Sequence, residues 1–196
     1  MNKQHQDLLW FKQCLEKKEL VEQLKKIKLI IADIDGSLTD GNLEYTEEKE
    51  NSRRFSTQDG FGIIKAMKAG ILVAFLSGKD HGSIKARAQL LGIPDDLFIG
   101  GRKDKLVVIQ QIQQKHGLSD NEVLMFGDDH FDALVKQQNP AFIFAVPNNA
   151  PFYYHDFANV VVPREGGHHA FRLLVDLILY VQKKHFDAEL ITQALR

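Results

Sequence analysis

Short apolar runs alternate with amphipathic stretches from Leu29 to Lys184, and this alternation limits the possible folds more than any other feature of the chain. The runs are Leu29–Ala32, 71–76, 97–99, Val123–Phe126, 142–146 and Val160–Val162. They are rich in β-branched residues and lack a polar-apolar alternation, as strands buried on both faces do. Between and after them, residues 60–68, 83–91, 103–115, 129–138 and 167–184 have helical spacing, with Gly92, Pro94, Gly117 and Asn139-Pro140 as stop signals. Strands alternating with helices predict an α/β fold, a parallel sheet with helices on both faces. A chain of 196 residues fits one domain, residues 1–196. Leu8, Leu9, Phe11, Leu15, Val21, Leu24 and Ile27 predict one amphipathic helix or two short ones, an N-terminal helical extension over 1–26. Residues 42–55, polar around Glu47-Glu48-Lys49-Glu50, predict a β-hairpin flap projecting from the body.

Composition removes several function classes. With 25 basic and 26 acidic residues the formal net charge is -1, against the basic excess of a nucleic-acid binder. No apolar stretch approaches the ~20 residues of a membrane span, and the N-terminus lacks the apolar core of a signal peptide. One cysteine, Cys14, excludes an internal disulfide and a cysteine-rich zinc site, and the cytoplasm is the expected compartment.

Open parallel sheets bind ligands beyond the carboxyl ends of their strands. Asp33-Ile34-Asp35-Gly36 follows the first run, Ser77-Gly78-Lys79 the second, Gly100 to Lys105 the third, and Gly127-Asp128-Asp129, with Asp132 one turn on, the fourth. Side chains of an extended backbone repeat with period two, so Asp33 and Asp35 are expected to point the same way. Carboxylates brought that close repel unless a cation intervenes, and Asp128 can add a ligand. A hard divalent ion that keeps several waters, Mg²⁺, suits so few oxygen donors. Asp33, Asp35 and Asp128 form the expected metal set, with Asp129 and Asp132 near the ion, orienting waters or ligands. The rest of the edge suits a phosphoryl group. Gly36 lets the backbone bend around an anion, Ser77 can donate to a phosphate oxygen, and Lys105 can neutralise charge. Asp33 is the candidate nucleophile, since a carboxylate is already ionised. Asp35 can protonate the leaving alcohol and then deprotonate water.

In this order the motifs resemble those of the haloacid dehalogenase superfamily of phosphatases: the Asp33 to Gly41 segment, Ser77-Gly78, Lys105, and Gly127-Asp128-Asp129 with Asp132. The likeness runs from about Ile27 to Val181. More narrowly, the segments Asp35 to Gly41, Asp59-Gly60-Phe61-Gly62-Ile63 and Arg164-Glu165-Gly166-Gly167 resemble the 3-deoxy-D-manno-octulosonate 8-phosphate phosphatases, which act in lipopolysaccharide biosynthesis. The resemblance implies a Rossmann-like fold, an Mg²⁺-dependent aspartyl-phosphate mechanism, a small sugar-phosphate substrate, and a homotetramer in which a neighbouring subunit helps close each site. Only the hairpin is left over to stand in for a cap domain. The resemblance also suggests substrate contacts from Gly36, Gly78, Lys79, Asp59, Gly60, His168 and Arg172. The chain has Gln58 and Lys79 where the family pattern has Arg, and His168-His169-Ala170 where it has Arg-Gly-Ala. Lys79, His168 and Arg172 are therefore the candidate partners of a sugar carboxylate. A phosphatase for a nonulosonate 9-phosphate shares the same chemistry. A non-catalytic phosphate receiver or scaffold shares the strand-end carboxylates, but a receiver lacks the acid two residues after the nucleophile.

Overall fold

A computed structural model describes residues 2–46 and 49–195. Two N-terminal helices, α1 (Lys3–Glu16) and α2 (Lys18–Leu24), lead into β1 (Leu29–Ala32). The hairpin β2 (Glu44–Thr46) and β3 (Lys49–Ser52) follows, then α3 (Thr57–Lys68), β4 (Leu72–Leu76), α4 (Gly82–Leu91), β5 (Phe98–Ile99) and α5 (Lys105–His116). The second half adds β6 (Val123–Phe126), α6 (His130–Gln138), β7 (Ile143–Pro147), α7 (Phe152–His155), β8 (Val160–Val162), α8 (Ala170–Val181) and α9 (Ala188–Leu195). Glu47 and Glu48, at the charged centre of the expected hairpin, lie outside the described residues.

Six strands form one parallel sheet in the order β5-β4-β1-β6-β7-β8, as the alternation of the sequence predicts. Every residue of β1, β6 and β7 is buried, so both sheet faces are covered. That is why these segments read as unbroken apolar runs. β1 pairs with β4 on one side, Ile31 opposite Ala74, and with β6 on the other, Ile31 opposite Met125. The chain builds outward from β1 in one direction, then crosses to β6 and builds the other way. The carboxyl end of β1 is thus the point where the strand order reverses and the adjoining crossovers diverge, leaving a crevice.

Helix boundaries follow local chemistry. The Ser56 side chain accepts from the Asp59 N–H and starts α3 three residues before the expected start. Asp129 and Asp132 cap α6 reciprocally. α8 begins at Ala170 instead of Gly167, because Gly167 and His169 both have positive φ and cannot continue a helix. α1 is fixed to the body by the Trp10 indole N–H, which donates to the Val161 carbonyl at 2.7 Å, and by an Arg164–Asp7 ion pair. Among the described residues, no helix is long and apolar enough to cross a membrane.

A buried charge cluster joins α3 to α8. Lys65, 1% exposed, reaches across to Asp176 Oδ1 at 2.7 Å. His185 Nε2 lies 2.9 Å from the same oxygen, and Arg172 Nε donates to Oδ2 at 2.7 Å. The Asp187 N–H donates to His185 Nδ1 at 2.9 Å, and His185 Nε2 also lies 2.9 Å from Lys65 Nζ.

Candidate active site

β1 ends at Ala32, and Asp33 stays extended with its N–H donating to the Phe126 carbonyl of β6. The chain then makes a wide turn closed by the Thr39 N–H on the Ile34 carbonyl, 3.0 Å, with Gly36 at φ +90°. A side chain at Gly36 would overlap the Asp128 carboxylate, so glycine is required both for the turn and for the approach of β6's end. The Ser37 hydroxyl donates to Asp128 Oδ1 at 2.8 Å and fixes that carboxylate.

Lys105, the first residue of α5, is buried between two carboxylates: its Nζ lies 2.6 Å from Asp33 Oδ1 and 2.5 Å from Asp132 Oδ1. Oxygens of Asp33, Asp128 and Asp132 gather within 4.8 Å of one another. Lys105 thus pairs with two of the three carboxylates. Burial, then the charge of Asp132, push the Asp33 carboxyl up to about 7 against the pull of Lys105. Burial and the charge of Asp33 do the same to Asp128, also to about 7. Burial raises Asp132 as well. Lys105 is itself buried, but its two carboxylate partners hold it firmly protonated. Such a site is short of positive charge. An oxygen-liganded divalent cation fits it, because that cation supplies the missing charge to hard donors already grouped.

Asp33, Asp35, Ser77, Gly78, Lys79, Lys103, Lys105, Asp129, Phe131 and Asp132 line a cavity of about 280 Å³. The Ser77 hydroxyl accepts from the Lys79 N–H at 3.1 Å, which leaves its own proton to donate to a ligand. Four strand ends thus meet as the sequence suggests, but three details differ. First, the carboxylates of Asp33 and Asp35 part. Asp35 turns to Arg53, whose Nε lies 2.6 Å from Oδ1, and stands outside the three-carboxylate cluster. Second, Asp132 is no outlying group: it is 2% exposed and pairs with Lys105 directly. Asp129 has the more distant role, capping α6 with Oδ1 on the His130 N–H.

Third, Gly36, Asp59, Gly60, His168 and Arg172 are not among the residues lining the cavity. Asp59 accepts from the backbone N–H groups of His169 and Arg172, tying α3 to the start of α8. Gly60 packs against the Arg87 guanidinium, which would have to shift to admit a side chain there. Arg172 is committed to Asp176 and lies over the Phe61 ring. His168 is exposed and turns its Nδ1 to the Gly166 carbonyl, 3.0 Å away. The Gly166-Gly167 pair serves close backbone packing: the Gly167 N–H donates to the Ser37 carbonyl, and a Cβ at Gly166 would overlap the Gly36 carbonyl. Asn149, absent from the sequence reading, bridges the same two loops through the Gly36 carbonyl and the Gly166 N–H. Its Asn-Asn position after β7, another strand end, was the available signal.

No family model matches the chain. A 3-deoxy-D-manno-octulosonate 8-phosphate phosphatase of Haemophilus influenzae is 36% identical over 168 residues, covering 83% of this chain and 88% of that protein. A structure of the Moraxella catarrhalis 3-deoxy-D-manno-octulosonate 8-phosphate phosphatase, in complex with magnesium, phosphate and the sugar, superposes with TM-score 0.81 at 29% identity. It covers 90% of this chain and 99% of that one. A putative hydrolase of the HAD superfamily from Legionella pneumophila is similar at TM-score 0.81 and 36% identity, over 92% of this chain and 95% of that one.

Proposed function

We propose a function from one premise: the chain belongs to the 3-deoxy-D-manno-octulosonate 8-phosphate phosphatase family of the haloacid dehalogenase superfamily. It is a phosphomonoester hydrolase acting on that octulosonate 8-phosphate. The observation that carries the chemistry is the buried Lys105 clamped between Asp33 and Asp132 beside Asp128.

Lys105 holds Asp33 by Oδ1, leaving Oδ2 to attack phosphorus. As that bond forms, the ester bond to the sugar oxygen breaks, and the carboxyl of Asp35 gives its proton to the departing oxygen. A water then attacks the aspartyl phosphate, Asp35 takes its proton, and inorganic phosphate leaves with Asp33 restored. The Ser77 hydroxyl and the Lys105 ammonium hold the phosphoryl oxygens as charge shifts. Gly78 and Lys79 line the same cavity. Asp33, Asp128 and the backbone carbonyl of Asp35 would hold Mg²⁺, which would supply charge neutralisation to the phosphoryl transfer. Asp132 sits beside that set and holds Lys105, and Asp129 caps α6 at its edge.

The sugar carboxylate pairs with Lys79 at the cavity wall. Gln58, Lys79 and His168 depart from the family pattern, and a nonulosonate 9-phosphate is the second substrate reading. The enzyme works in the cytoplasm as a homotetramer. Its hairpin, with Tyr45 70% exposed, lies at a subunit contact and excludes water where a cap domain is lacking. Phosphate release with Mg²⁺ from octulosonate 8-phosphate, a nonulosonate 9-phosphate and a neutral sugar phosphate tests the reading. The expected order is octulosonate first and the neutral sugar last. A preference for the neutral sugar refutes the sugar-acid assignment.

A further inference from the structure

Asp35 has to give a proton in one half-reaction and take one in the other, so its carboxyl must keep a fixed orientation through both. It sits on a turn, is only half-buried, and lies two residues from a cluster of three carboxylates that attracts a cation. Left free, it could rotate into that cluster and be lost as an acid.

Arg53 prevents this. Its side chain is 0% exposed, although it stands at the root of the polar hairpin, one residue after β3. The guanidinium grips Asp35 unevenly: Nε to Oδ1 at 2.6 Å is a short charge-assisted bond, whereas Nη2 to Oδ2 at 3.3 Å is weak. Its Nη1 faces Ser83 Oγ at 3.4 Å, near the start of α4. The grip suits both states of the carboxyl, because a carboxylic acid still accepts at one oxygen while the other bears the proton.

We infer that Arg53 is the positioning residue for the acid-base step, anchoring Asp35 by Oδ1 so that Oδ2 passes the proton to the leaving alcohol and later takes one from water. The inference rests on the phosphatase reading above. It also makes the hairpin root part of the reacting geometry, because Arg53 reaches Asp35 only while β3 ends where it does.

The test compares kcat/KM, which reports events up to departure of the leaving group, for wild type, Arg53→Gln, Arg53→Lys, Asp35→Asn and the Asp35→Asn/Arg53→Gln double variant. The substrates are octulosonate 8-phosphate and aryl phosphates from phenyl to 4-nitrophenyl, all with Mg²⁺. A poor leaving group needs the proton and a nitrophenolate does not. Arg53→Gln should therefore lose about 10–100-fold more on the sugar ester than on 4-nitrophenyl phosphate, a share of the ~10²–10⁴ that a general acid supplies. Arg53→Lys should recover part of this, since an ammonium can still donate to Oδ1. In the Asp35→Asn background, Arg53→Gln should cost no more than about threefold further, because residues acting as a unit are non-additive. If Arg53→Gln does not fold, Arg53→Lys alone decides by the same ratio. Equal losses on both ester classes, or full additivity with Asp35→Asn, overturn the inference alone. A wild type inactive on every ester overturns the phosphatase reading and this inference with it.

Discussion

Replacing Asp176 by Asn leaves Lys65 a buried cation without a carboxylate. Lys65 Nζ sits 2.7 Å from Asp176 Oδ1 with its side chain 1% exposed, so water cannot take the carboxylate's place. Removing one partner of a buried pair typically costs about 3–5 kcal/mol. Arg172 adds little to this figure, because its side chain is 22% exposed and is partly resolvated. For a chain of 150–250 residues each kcal/mol moves Tm by roughly 2–4 °C, so Asp176→Asn should lower Tm by about 6–20 °C. Thermal melts followed by circular dichroism at pH 7 and moderate salt measure this. The control is the Lys65→Met/Asp176→Leu double variant, in which neither charge remains and most of the loss should return. A Tm within about 2 °C of wild type for Asp176→Asn would refute the reasoning, since it would mean that Lys65 finds solvent without unfolding.

The same carboxylate gives a pH signature. Burial pushes Asp176 up, but hydrogen bonds from His185 and Lys65 and the charge of Arg172 outweigh it, so its folded value lies below the ordinary carboxylate range. A depressed carboxylate contributes stability that is complete above the unfolded value of about 4 and is lost as pH falls through the folded one. The Tm gap between wild type and Asp176→Asn should accordingly hold from pH 7 to 5 and narrow below about pH 4. Gly36→Ala forces a side chain onto the Asp128 carboxylate at φ +90° and should weaken Mg²⁺ activation about 10–100-fold, read from activity against Mg²⁺ concentration. Lys105→Met removes the cation shared by Asp33 and Asp132 and should lower kcat by about 10²–10³ on 4-nitrophenyl phosphate. EDTA should abolish turnover and Mg²⁺ restore it; full activity after chelation would contradict the account.

What could be read in the sequence follows from the range of the interactions. Leu29–Ala32, Val123–Phe126 and Val160–Val162 were legible to the residue, because each apolar run begins after a polar residue and ends at Asp33, Gly127 or Pro163. Asp33, Ser77, Lys105 and Asp128 converge because they follow parallel strands, so topology alone brings them to one edge. Arg53 was not legible: it reads as one more charge in a polar hairpin, and its partner Asp35 is settled only by how that hairpin folds back. Lys65 reads as a solvated residue near the end of α3, and its burial depends on Asp176, 111 positions away. The resemblance suggests Arg172 as a substrate contact, although Asp176 four residues on is a helical partner that the sequence does display.

The central claim is that Asp33 itself becomes phosphorylated. Wild-type enzyme with Mg²⁺ and octulosonate 8-phosphate should be quenched in acid within milliseconds and the resulting peptides analysed by mass spectrometry. The account predicts an acid-stable, alkali-labile phosphoryl group on Asp33 in the first turnover and none in Asp33→Asn, which should also release no phosphate. Phosphate release at the wild-type rate by Asp33→Asn, or a phosphoryl group on any other side chain, would contradict it.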